Sequence, residues 1–254
     1  MPTWSADQYL KFEEERTRPC RDLLAAIDLP SVHQIVDLGC GPGNSTSVLA
    51  GRWPDAQITG LDNARSMIEV AQSARPQDRW MVRDITEWAA NERDQFDLVF
   101  SNAALQWVPD HASLYARLFE RVRPGGVLAI QIPANFDALP HRLMRELAPR
   151  DIRVKEWHAH DAAFYYDVLA PHAARVDIWY TEYQHVMMNA EAIVEWYKGT
   201  GLRPFMEALA ANEREKFLSD YTDRIREAYR PRPDGKVLFP FLRLFVIAYK
   251  HASD

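Results

Sequence analysis

Short apolar segments alternate with amphipathic ones along residues 33–133, and this alternation is the strongest constraint on the fold. The apolar segments are rich in Val, Ile and Leu and are bounded by Gly, Asp or Pro, which is typical of strands buried on both faces. The intervening segments carry apolar residues at helical spacing. The pattern predicts an α/β fold with a doubly wound, mostly parallel sheet. The strand segments are HQIVDL, QITGLD, RWMVRD, FDLVFSN and GGVLAIQIP.

Two further strands are predicted late in the chain, which brings the sheet to seven strands. RVDIWYTEYQHVM and FPFLRLFVIAYK are rich in aromatic and β-branched residues. The segments around them have helical patterns, and we expect these helices to form cap insertions over the strand ends. The predicted organisation is one compact domain with an N-terminal helical arm (1–30), a core (31–133), and cap helices with the last two strands (134–254).

The N-terminal arm begins with a capping-box pattern. Ser5 is followed three residues later by Gln8, which predicts the start of a helix. Pro19 lacks an amide hydrogen, so we expect it to interrupt this helix before a second helical segment, CRDLLAAI.

Charge and composition argue against several classes of function. The 254-residue chain has a formal net charge of −6 and a pI near 5.8, whereas non-specific nucleic-acid binding needs a basic surface. Its two cysteines show no metal-ligand spacing, and no apolar stretch approaches the roughly 18 residues of a membrane span. We expect a cytoplasmic protein that needs no nucleic acid, membrane or obligate protein partner.

A glycine-rich turn follows the first predicted strand. In VDLGCGPGNST, Gly39, Gly41 and Gly43 alternate with other residues, and a helical segment comes next. Glycines let a ligand approach the backbone, and the start of the helix offers N–H groups to an anion. A dinucleotide fingerprint would need Gly at the position of Asn44, and the Lys of a phosphate-binding loop is absent. A tight turn that binds no ligand is the alternative.

Acidic and polar residues end the next three predicted strands. Asp62 follows the glycines by about 20 residues, where a carboxylate can accept hydrogen bonds from ribose hydroxyls. Asp84 ends the third strand and Ile85 follows it, a pair that suits the amino group and ring of adenine. Ser101 and Asn102 end the fourth strand at the same edge of the predicted sheet.

The order of these motifs resembles that of the class I S-adenosylmethionine-dependent methyltransferases, which have a Rossmann-like fold. The segments DLGCGPG, GLD, VRD, FDLVFSNAALQWV and LFERVRPGGVLAI carry the resemblance. It implies S-adenosyl-L-methionine as the cofactor, with Asp37 and the glycines beside its aminoacyl group; Asp37 is equally compatible with a role as a loop or helix cap. The implied cofactor-binding residues are Asp37, Gly39, Cys40, Gly41, Gly43, Asp62, Asn63, Asp84, Ile85, Ser101, Asn102 and Arg16.

The arm offers two candidates for the carboxylate of that cofactor. Tyr9, Phe12 and Arg16 lie on one side of the first predicted helix, because they are spaced by three and four residues. The arm can therefore fold over the cofactor with Arg16 near the carboxylate. Arg18 is the competing candidate.

The acceptor of the methyl group decides which catalytic residues to expect. An alcohol or a protonated amine needs a general base, whereas a carboxylate with a pKa near 4 is already ionised at pH 7. Removing a carboxylate from water must be offset by donors such as Arg. Residues 142–175 are rich in Arg, His and Tyr, which fits a carboxylate acceptor.

Four further segments sharpen the resemblance towards family members that esterify a carboxylate of a small tricarboxylic acid. They are WSADQYLKFEEERTRPCRDLL, SNAALQWVPDH, AFYYDVL and VEWYKGTGLRPF. The resemblance thus implies O-methylation without an obligatory catalytic base. Trp107 fits a substrate wall and a core position equally, and Trp157, Trp196 and Tyr197 are expected in the core. The predicted substrate-binding residues are Tyr9, Trp107, Arg153, Tyr165, Tyr166 and Arg203.

Several alternatives stay open at the level of sequence. A methyltransferase for a malonyl thioester on a carrier protein uses the same cofactor and esterifies a carboxylate, and small-molecule N- or O-methylation would need a base. A cofactor-binding module without turnover is the non-enzymatic alternative. His158, His160 and Asp161 suggest a metal, but two-residue spacing in a predicted helix puts the histidines on different faces. We predict no metal.

Overall fold

A computed structural model describes residues 12–154 and 157–252. The strands are β1 (Gln34–Leu38), β2 (Gln57–Asp62), β3 (Arg79–Val82), β4 (Phe96–Asn102), β5 (Val122–Pro133), β6 (Ala173–Met187) and β7 (Val237–Lys250). The helices are α1 (Glu13–Ala26), α2 (Asn44–Arg52), α3 (Arg65–Ala74), α4 (Ile85–Asn91), α5 (His111–Glu120), α6 (Leu139–Leu147), α7 (Ala162–Leu169), α8 (Ala190–Lys198), α9 (Arg203–Ala208) and α10 (Ala211–Ala228). A 3-10 turn spans Leu105–Trp107. Within these described ranges, no helix combines the length and apolar character needed to cross a membrane.

The strands form one seven-stranded sheet in the order β3-β2-β1-β4-β5-β7-β6. Strand β1 pairs in parallel with β2 and β4, β2 with β3, and β4 with β5. The Gly125 N–H donates to the His251 carbonyl, and the Ala134 N–H to the Leu242 carbonyl, so β7 runs antiparallel to β5. The predicted α/β fold with a mostly parallel, seven-stranded sheet and flanking helices is confirmed.

Strand order reverses at β1, because β2 lies on one side of it and β4 on the other. Asp37 is in register with Phe100, so the loops that follow β1 and β4 leave the same edge of the sheet. Connections that diverge from two neighbouring strands open a crevice at their carboxyl ends. The fold therefore places a binding site beside the glycine-rich turn.

The central strands are buried on both faces, as their continuous apolar sequences predict. Ile35, Val36 and Leu38 of β1, and Leu98 and Val99 of β4, have no exposed surface. Burial of each such side chain contributes roughly 1.5–3 kcal/mol. The two strands that carry the crevice are thus held firmly in the interior of the sheet.

Helix α1 continues through Pro19, although the sequence predicted an interruption there. The packing of this helix outweighs the lost hydrogen bond, which costs about 3 kcal/mol: Cys20 and Leu23 are 1% and 0% exposed. Arg52 donates from its guanidinium to the carbonyls of Leu24 and Ile27, which satisfies groups at the end of the helix. The capping-box pattern at residues 5–8 lies outside the described residues.

The chain divides into two compact units. Unit 1 contains the described residues up to Pro133, Trp157–Thr181 and those from Leu244 onward, and it holds β1 to β5, α1 to α5 and α7. Unit 2 contains Ala134–Glu156 and Glu182–Arg243, and it holds α6 and α8 to α10. The interior of unit 2 is aromatic: the expected core residues Trp196 and Tyr197 are 2% and 0% exposed there.

Candidate functional site

The turn after β1 is shaped by close backbone packing. Gly39 has φ +70° and donates its N–H to the Leu61 carbonyl at 2.7 Å. A Cβ atom on Gly39 would lie 2.2 Å from the Cβ of Ala104. Glycine is therefore required at this position by its left-handed conformation and by the close contact with Ala104, independently of any ligand.

Gly41 differs from Gly39 in what surrounds it. Its φ is +55°, but a Cβ atom there would have no heavy atom within 4 Å among the described residues. Its N–H donates to Asp62 Oδ2 at 3.0 Å. The turn therefore has open space beside Gly41, and this is where a ligand can approach the backbone.

Asp37 is a fully buried carboxylate that holds the start of α2. Its Oδ2 accepts hydrogen bonds from Ser45 Oγ and Thr46 Oγ1, both at 2.7 Å. Burial raises the pKa of Asp37 to about 6, against the opposing effect of these two hydroxyls. Both hydrogen bonds come from residues in the first turn of α2, so of the two predicted roles of Asp37 the geometry favours the cap.

Asp62 ends β2 with both carboxylate oxygens turned to backbone donors. Oδ1 accepts from the Ala64 N–H at 2.8 Å, and Oδ2 accepts from the Gly41 N–H at 3.0 Å. Burial raises the pKa of Asp62, and the hydrogen bonds from Ala64, Gly41 and Asn63 counteract part of that rise. The carboxylate is thereby fixed next to the glycine turn, with lone pairs left to accept from ligand hydroxyls.

Asp84 and Ile85 stand at the start of α4. Asp84 is the N-cap residue, and its Oδ1 accepts from the Thr86 N–H at 2.8 Å and from the Glu87 N–H at 3.3 Å. Ile85 is 9% exposed, and its Cδ1 would lie 3.7 Å from a Cβ on Gly39. The sequence placed these residues at the site without foreseeing that the Asp84 carboxylate also caps a helix.

Ser101 and Asn102 at the end of β4 have different roles. Ser101 is fully buried and donates to the Leu38 carbonyl at 2.8 Å, which joins β4 to the end of β1. Asn102 lines the pocket, and its buried Oδ1 has no hydrogen-bond partner among the described residues. Of the two, Asn102 is the one available to a ligand.

A pocket of about 290 Å³, including its part open to solvent, lies in unit 1 beside α1, the glycine turn, the start of α2 and the end of β4. Of the predicted cofactor-binding residues, Arg16, Gly39, Cys40 and Asn102 line it, and the others do not: Asp37, Gly41, Gly43, Asp62, Asn63, Asp84, Ile85 and Ser101. Arg16 supplies the positive charge and is 6% exposed, whereas Arg18 lies on the exposed side of α1. The geometry therefore favours Arg16 over Arg18 as the partner of an anionic group. The lining residues are Arg16, Thr17, Cys20, Gly39, Cys40, Pro42, Asn44, Ser45 and Asn102.

Sequence analysis did not predict five of these lining residues: Thr17, Cys20, Pro42, Asn44 and Ser45. Cys20 could have been predicted, because it follows Arg16 by four residues and residues four apart on a helix lie on the same face. Asn44 and Ser45 begin α2, and the start of a helix offers unpaired N–H groups to a ligand, which was the signal for these two positions.

The predicted substrate residues of unit 1 differ in exposure. Trp107 is partly exposed, and its ring centroid lies 5.1 Å from that of Trp157 in an edge-to-face contact. Tyr165 is fully buried, whereas Tyr166 is 53% exposed. Tyr9 lies outside the described residues.

The structure gives the Tyr165 hydroxyl two partners inside unit 1. It lies 2.7 Å from His111 Nδ1, and it accepts from the His160 N–H at 3.2 Å. Because His111 Nε2 faces the Leu105 carbonyl at 3.0 Å, the proton belongs on Nε2, and Tyr165 donates to Nδ1. Tyr165 is thus a core residue, and the geometry does not support its predicted contact with substrate.

The segment at residues 157–161 is not helical, so the sequence-based argument about His158 and His160 had a wrong premise. The His158 N–H donates to the Gln106 carbonyl at 2.8 Å. This hydrogen bond joins the segment to the 3-10 turn and replaces a bond within a helix. Both rings lie near His111, with centroids 6.4 Å and 5.6 Å away. Among the described residues, no group of three or more His, Cys, Asp or Glu is arranged to hold a metal.

The two predicted arginines of the cap have separate surroundings. Arg153 is exposed in the irregular chain after α6. Arg203 begins α9 in unit 2, and its Nε donates to Glu207 Oε1 at 2.8 Å. An anion at Arg203 would have to compete with that carboxylate.

The chain is similar to known proteins in sequence and in fold. A family model described as a methyltransferase domain matches residues 35–126. A trans-aconitate 2-methyltransferase of Azoarcus sp. (strain BH72) is 51% identical over 98% of this chain and 100% of its own. The YcgJ protein of Bacillus subtilis superposes with a TM-score of 0.60 at 15% identity, covering 93% of this chain and 100% of its own. Phosphoethanolamine N-methyltransferase 2 of Haemonchus contortus, solved with S-adenosylhomocysteine, gives 0.55 at 15% identity, covering 92% and 53%.

Proposed function

Because the chain belongs to the trans-aconitate 2-methyltransferase family, we propose that it transfers a methyl group from S-adenosylmethionine to a carboxylate of trans-aconitate. The product is the monomethyl ester. The observation that carries this proposal is the 51% identity, which extends over 98% of the chain and therefore includes unit 2 as well as unit 1. The fold by itself supports methyl transfer in general and no particular acceptor.

The pocket of unit 1 supports S-adenosylmethionine as the methyl donor. Its aminoacyl carboxylate would pair with the buried Arg16 and with N–H groups at the start of α2. Its ribose hydroxyls would donate to Asp62, which is held beside the open position at Gly41. The donor set thus fits a zwitterionic nucleoside better than a polyphosphate, because Arg16 of α1 is the single buried cation among the described lining residues of the pocket.

The reaction needs orientation more than acid–base chemistry. When bound, S-adenosylmethionine would supply an electrophilic methyl group to an oxygen of the acceptor carboxylate in an in-line displacement, with the bond between sulfur and the methyl carbon breaking and S-adenosylhomocysteine leaving. That carboxylate is ionised at neutral pH, so no protein group has to remove a proton. The protein's contribution is to hold the two partners in line and to keep water out. We therefore propose a kcat that stays constant between about pH 7 and pH 9.

We propose that the protein acts in the cytoplasm on a small-molecule substrate, without nucleic acid, membrane or an obligate protein partner. The acidic composition supports this proposal, since a net charge of −6 does not favour a polyanion.

The test is to incubate the purified protein with S-adenosylmethionine and one acid at a time: trans-aconitate, cis-aconitate, citrate, or a malonyl thioester. We expect the monomethyl ester of trans-aconitate as the main product by mass spectrometry. Calorimetry with S-adenosylmethionine alone is the control for a folded cofactor site. Binding of the donor without any ester from trans-aconitate would refute the proposed acceptor.

A further inference from the structure

The loop that follows β4 in unit 1 connects two parts of the pocket lining. It comprises residues 103–106, and we refer to it as the β4 loop. It begins directly after Asn102, which lines the pocket. Its second residue, Ala104, lies against the glycine turn, since a Cβ atom on Gly39 would be 2.2 Å from the Cβ of Ala104. The conformation of the β4 loop therefore affects the positions of two lining residues, Asn102 and Gly39.

The backbone of the β4 loop is strained at Ala103. Its φ is +56°, a left-handed conformation that is unfavourable for a residue with a Cβ atom. Such a conformation persists only where the surrounding structure holds it. One of the contacts that hold it is on the N–H side, where Ala103 donates to the Gln131 carbonyl of β5 at 2.8 Å.

The side chain of Gln106 provides a second contact, on the carbonyl side of Ala103. Gln106 is 3% exposed, and its Nε2 donates to the Ala103 carbonyl at 2.8 Å. A carbonyl only accepts, so the atom of the side chain that faces it must be the amide nitrogen. Gln106 does not itself line the pocket. Any effect of its side chain on a ligand therefore has to pass through the β4 loop.

The other three carbonyls of the β4 loop are engaged by groups outside the Gln106 side chain. The Ala104 carbonyl accepts from the Trp107 N–H at 3.1 Å, and the Gln106 carbonyl accepts from the His158 N–H at 2.8 Å. The Leu105 carbonyl faces His111 Nε2 at 3.0 Å. A substitution of the Gln106 side chain would therefore remove the contact at Ala103 and leave these three contacts in place.

We propose that Gln106 is a positioning residue for the cofactor, because its side-chain amide holds Ala103 in the left-handed conformation that sets Asn102 and Ala104 at the pocket. This inference rests on the proposed function, since it takes the pocket of unit 1 as the site of S-adenosylmethionine. The amide is needed only while the residue at position 103 resists a positive φ. Glycine at that position would not resist it.

Gln106→Met tests the proposal, because methionine has a similar length and cannot donate a hydrogen bond. We expect this variant to bind S-adenosylmethionine about 5- to 10-fold more weakly than wild type in calorimetry, since a hydrogen bond that fixes the loop is lost. Gln95→Met is the matched control. Gln95 Nε2 also donates to a backbone carbonyl, that of Glu120 at 3.3 Å, but Gln95 is exposed and precedes β4. Gln95→Met should bind with wild-type affinity.

Relief by glycine distinguishes positioning from direct contact and from a general loss of stability. Ala103→Gly removes the strain that the Gln106 amide opposes. The double variant Ala103→Gly/Gln106→Met should therefore recover the affinity for S-adenosylmethionine to within about 2- to 3-fold of wild type. If Gln106→Met does not fold, Gln106→Glu takes its place, since an ionised carboxylate has nearly the same shape and cannot donate. Thermal unfolding shows whether each variant is folded.

Two results would overturn the inference. One is wild-type affinity for S-adenosylmethionine in the folded variant at position 106. The other is a loss of affinity that Ala103→Gly does not relieve, because Gln106 would then act by another route than the conformation of Ala103. Failure of the wild-type protein to bind S-adenosylmethionine would instead overturn the proposed function.

Discussion

Two glycines of the turn after β1 are expected to respond to the same substitution in opposite ways. Both have positive φ, +70° at Gly39 and +55° at Gly41, so alanine is strained at either position. Only Gly39 is packed against another segment of the protein, because the Cβ of an alanine there would lie 2.2 Å from the Cβ of Ala104. At Gly41 the added Cβ would meet no described atom within 4 Å. Gly39→Ala should therefore damage the fold, and Gly41→Ala should damage ligand binding.

The magnitudes follow from the two contributions. A left-handed conformation costs a residue with a Cβ roughly 1–2 kcal/mol, which is the whole cost expected for Gly41→Ala. Gly39→Ala adds the displacement of Ala104, and overpacking of this kind costs roughly 1–3 kcal/mol. The total for Gly39→Ala is then about 2–5 kcal/mol. For a chain of this size, each kcal/mol lowers the melting temperature by roughly 2–4 °C.

Thermal unfolding and calorimetry together separate the two effects. We expect Gly41→Ala to melt only a few degrees below wild type and to bind S-adenosylmethionine at least about 10-fold more weakly, because the methyl group occupies the open space. Gly39→Ala should show the larger loss of melting temperature. Wild-type affinity in Gly41→Ala, or equal losses of melting temperature in the two variants, would refute this reasoning.

Three further outcomes are expected. Arg16→Ala should weaken S-adenosylmethionine binding by about 10- to 100-fold in calorimetry, since a charge-assisted hydrogen bond to its carboxylate is lost, and exposed Arg18→Ala should not; equal effects would contradict the assignment. The pKa of Asp37 is raised from 3.8 to about 6 in the folded protein, so protonation stabilises the fold at low pH and that contribution is lost as pH rises through this window. Lowering the pH from 7 to 5 should therefore stabilise wild type by about 1 kcal/mol relative to Asp37→Asn in denaturant unfolding; a constant difference would argue against the raised pKa. Tyr165→Phe should destabilise the protein by roughly 1–3 kcal/mol in the same assay without changing the KM for trans-aconitate. Tyr166→Phe, at an exposed position, should leave stability unchanged. Unchanged stability together with a raised KM in Tyr165→Phe would show that Tyr165 contacts the substrate.

The region from β1 to β5 could be predicted closely because its signals are local. Strand, turn and helix are each encoded by neighbouring residues, and the carboxyl ends of parallel strands meet at one edge by geometry. The positions of Asp62 and Asn102 at that edge follow from this rule. The glycines were also recognised, but the sequence did not show why each one is glycine. At Gly39 a side chain is excluded by Ala104, which is distant in sequence.

Predictions failed where long-range packing competes with local propensity. Pro19 was expected to break a helix, but the burial of Cys20 and Leu23 keeps α1 continuous. The histidines at 158 and 160 were expected in a helix, but backbone hydrogen bonds to Gln106 and to the Tyr165 hydroxyl hold that segment in an irregular conformation. In both cases the deciding partners lie elsewhere in the chain.

The sequence by itself determined the α/β class, the position of the binding edge and the family, because periodicity, turn glycines and strand-end residues act over short distances. Tertiary structure alone decided which polar groups are buried. It placed Arg16 in the pocket and Arg18 outside it, made Tyr165 a partner of His111, and buried Arg243 in unit 2. Burial is a property of all the elements packed around a side chain, so it depends on contacts that no local pattern contains.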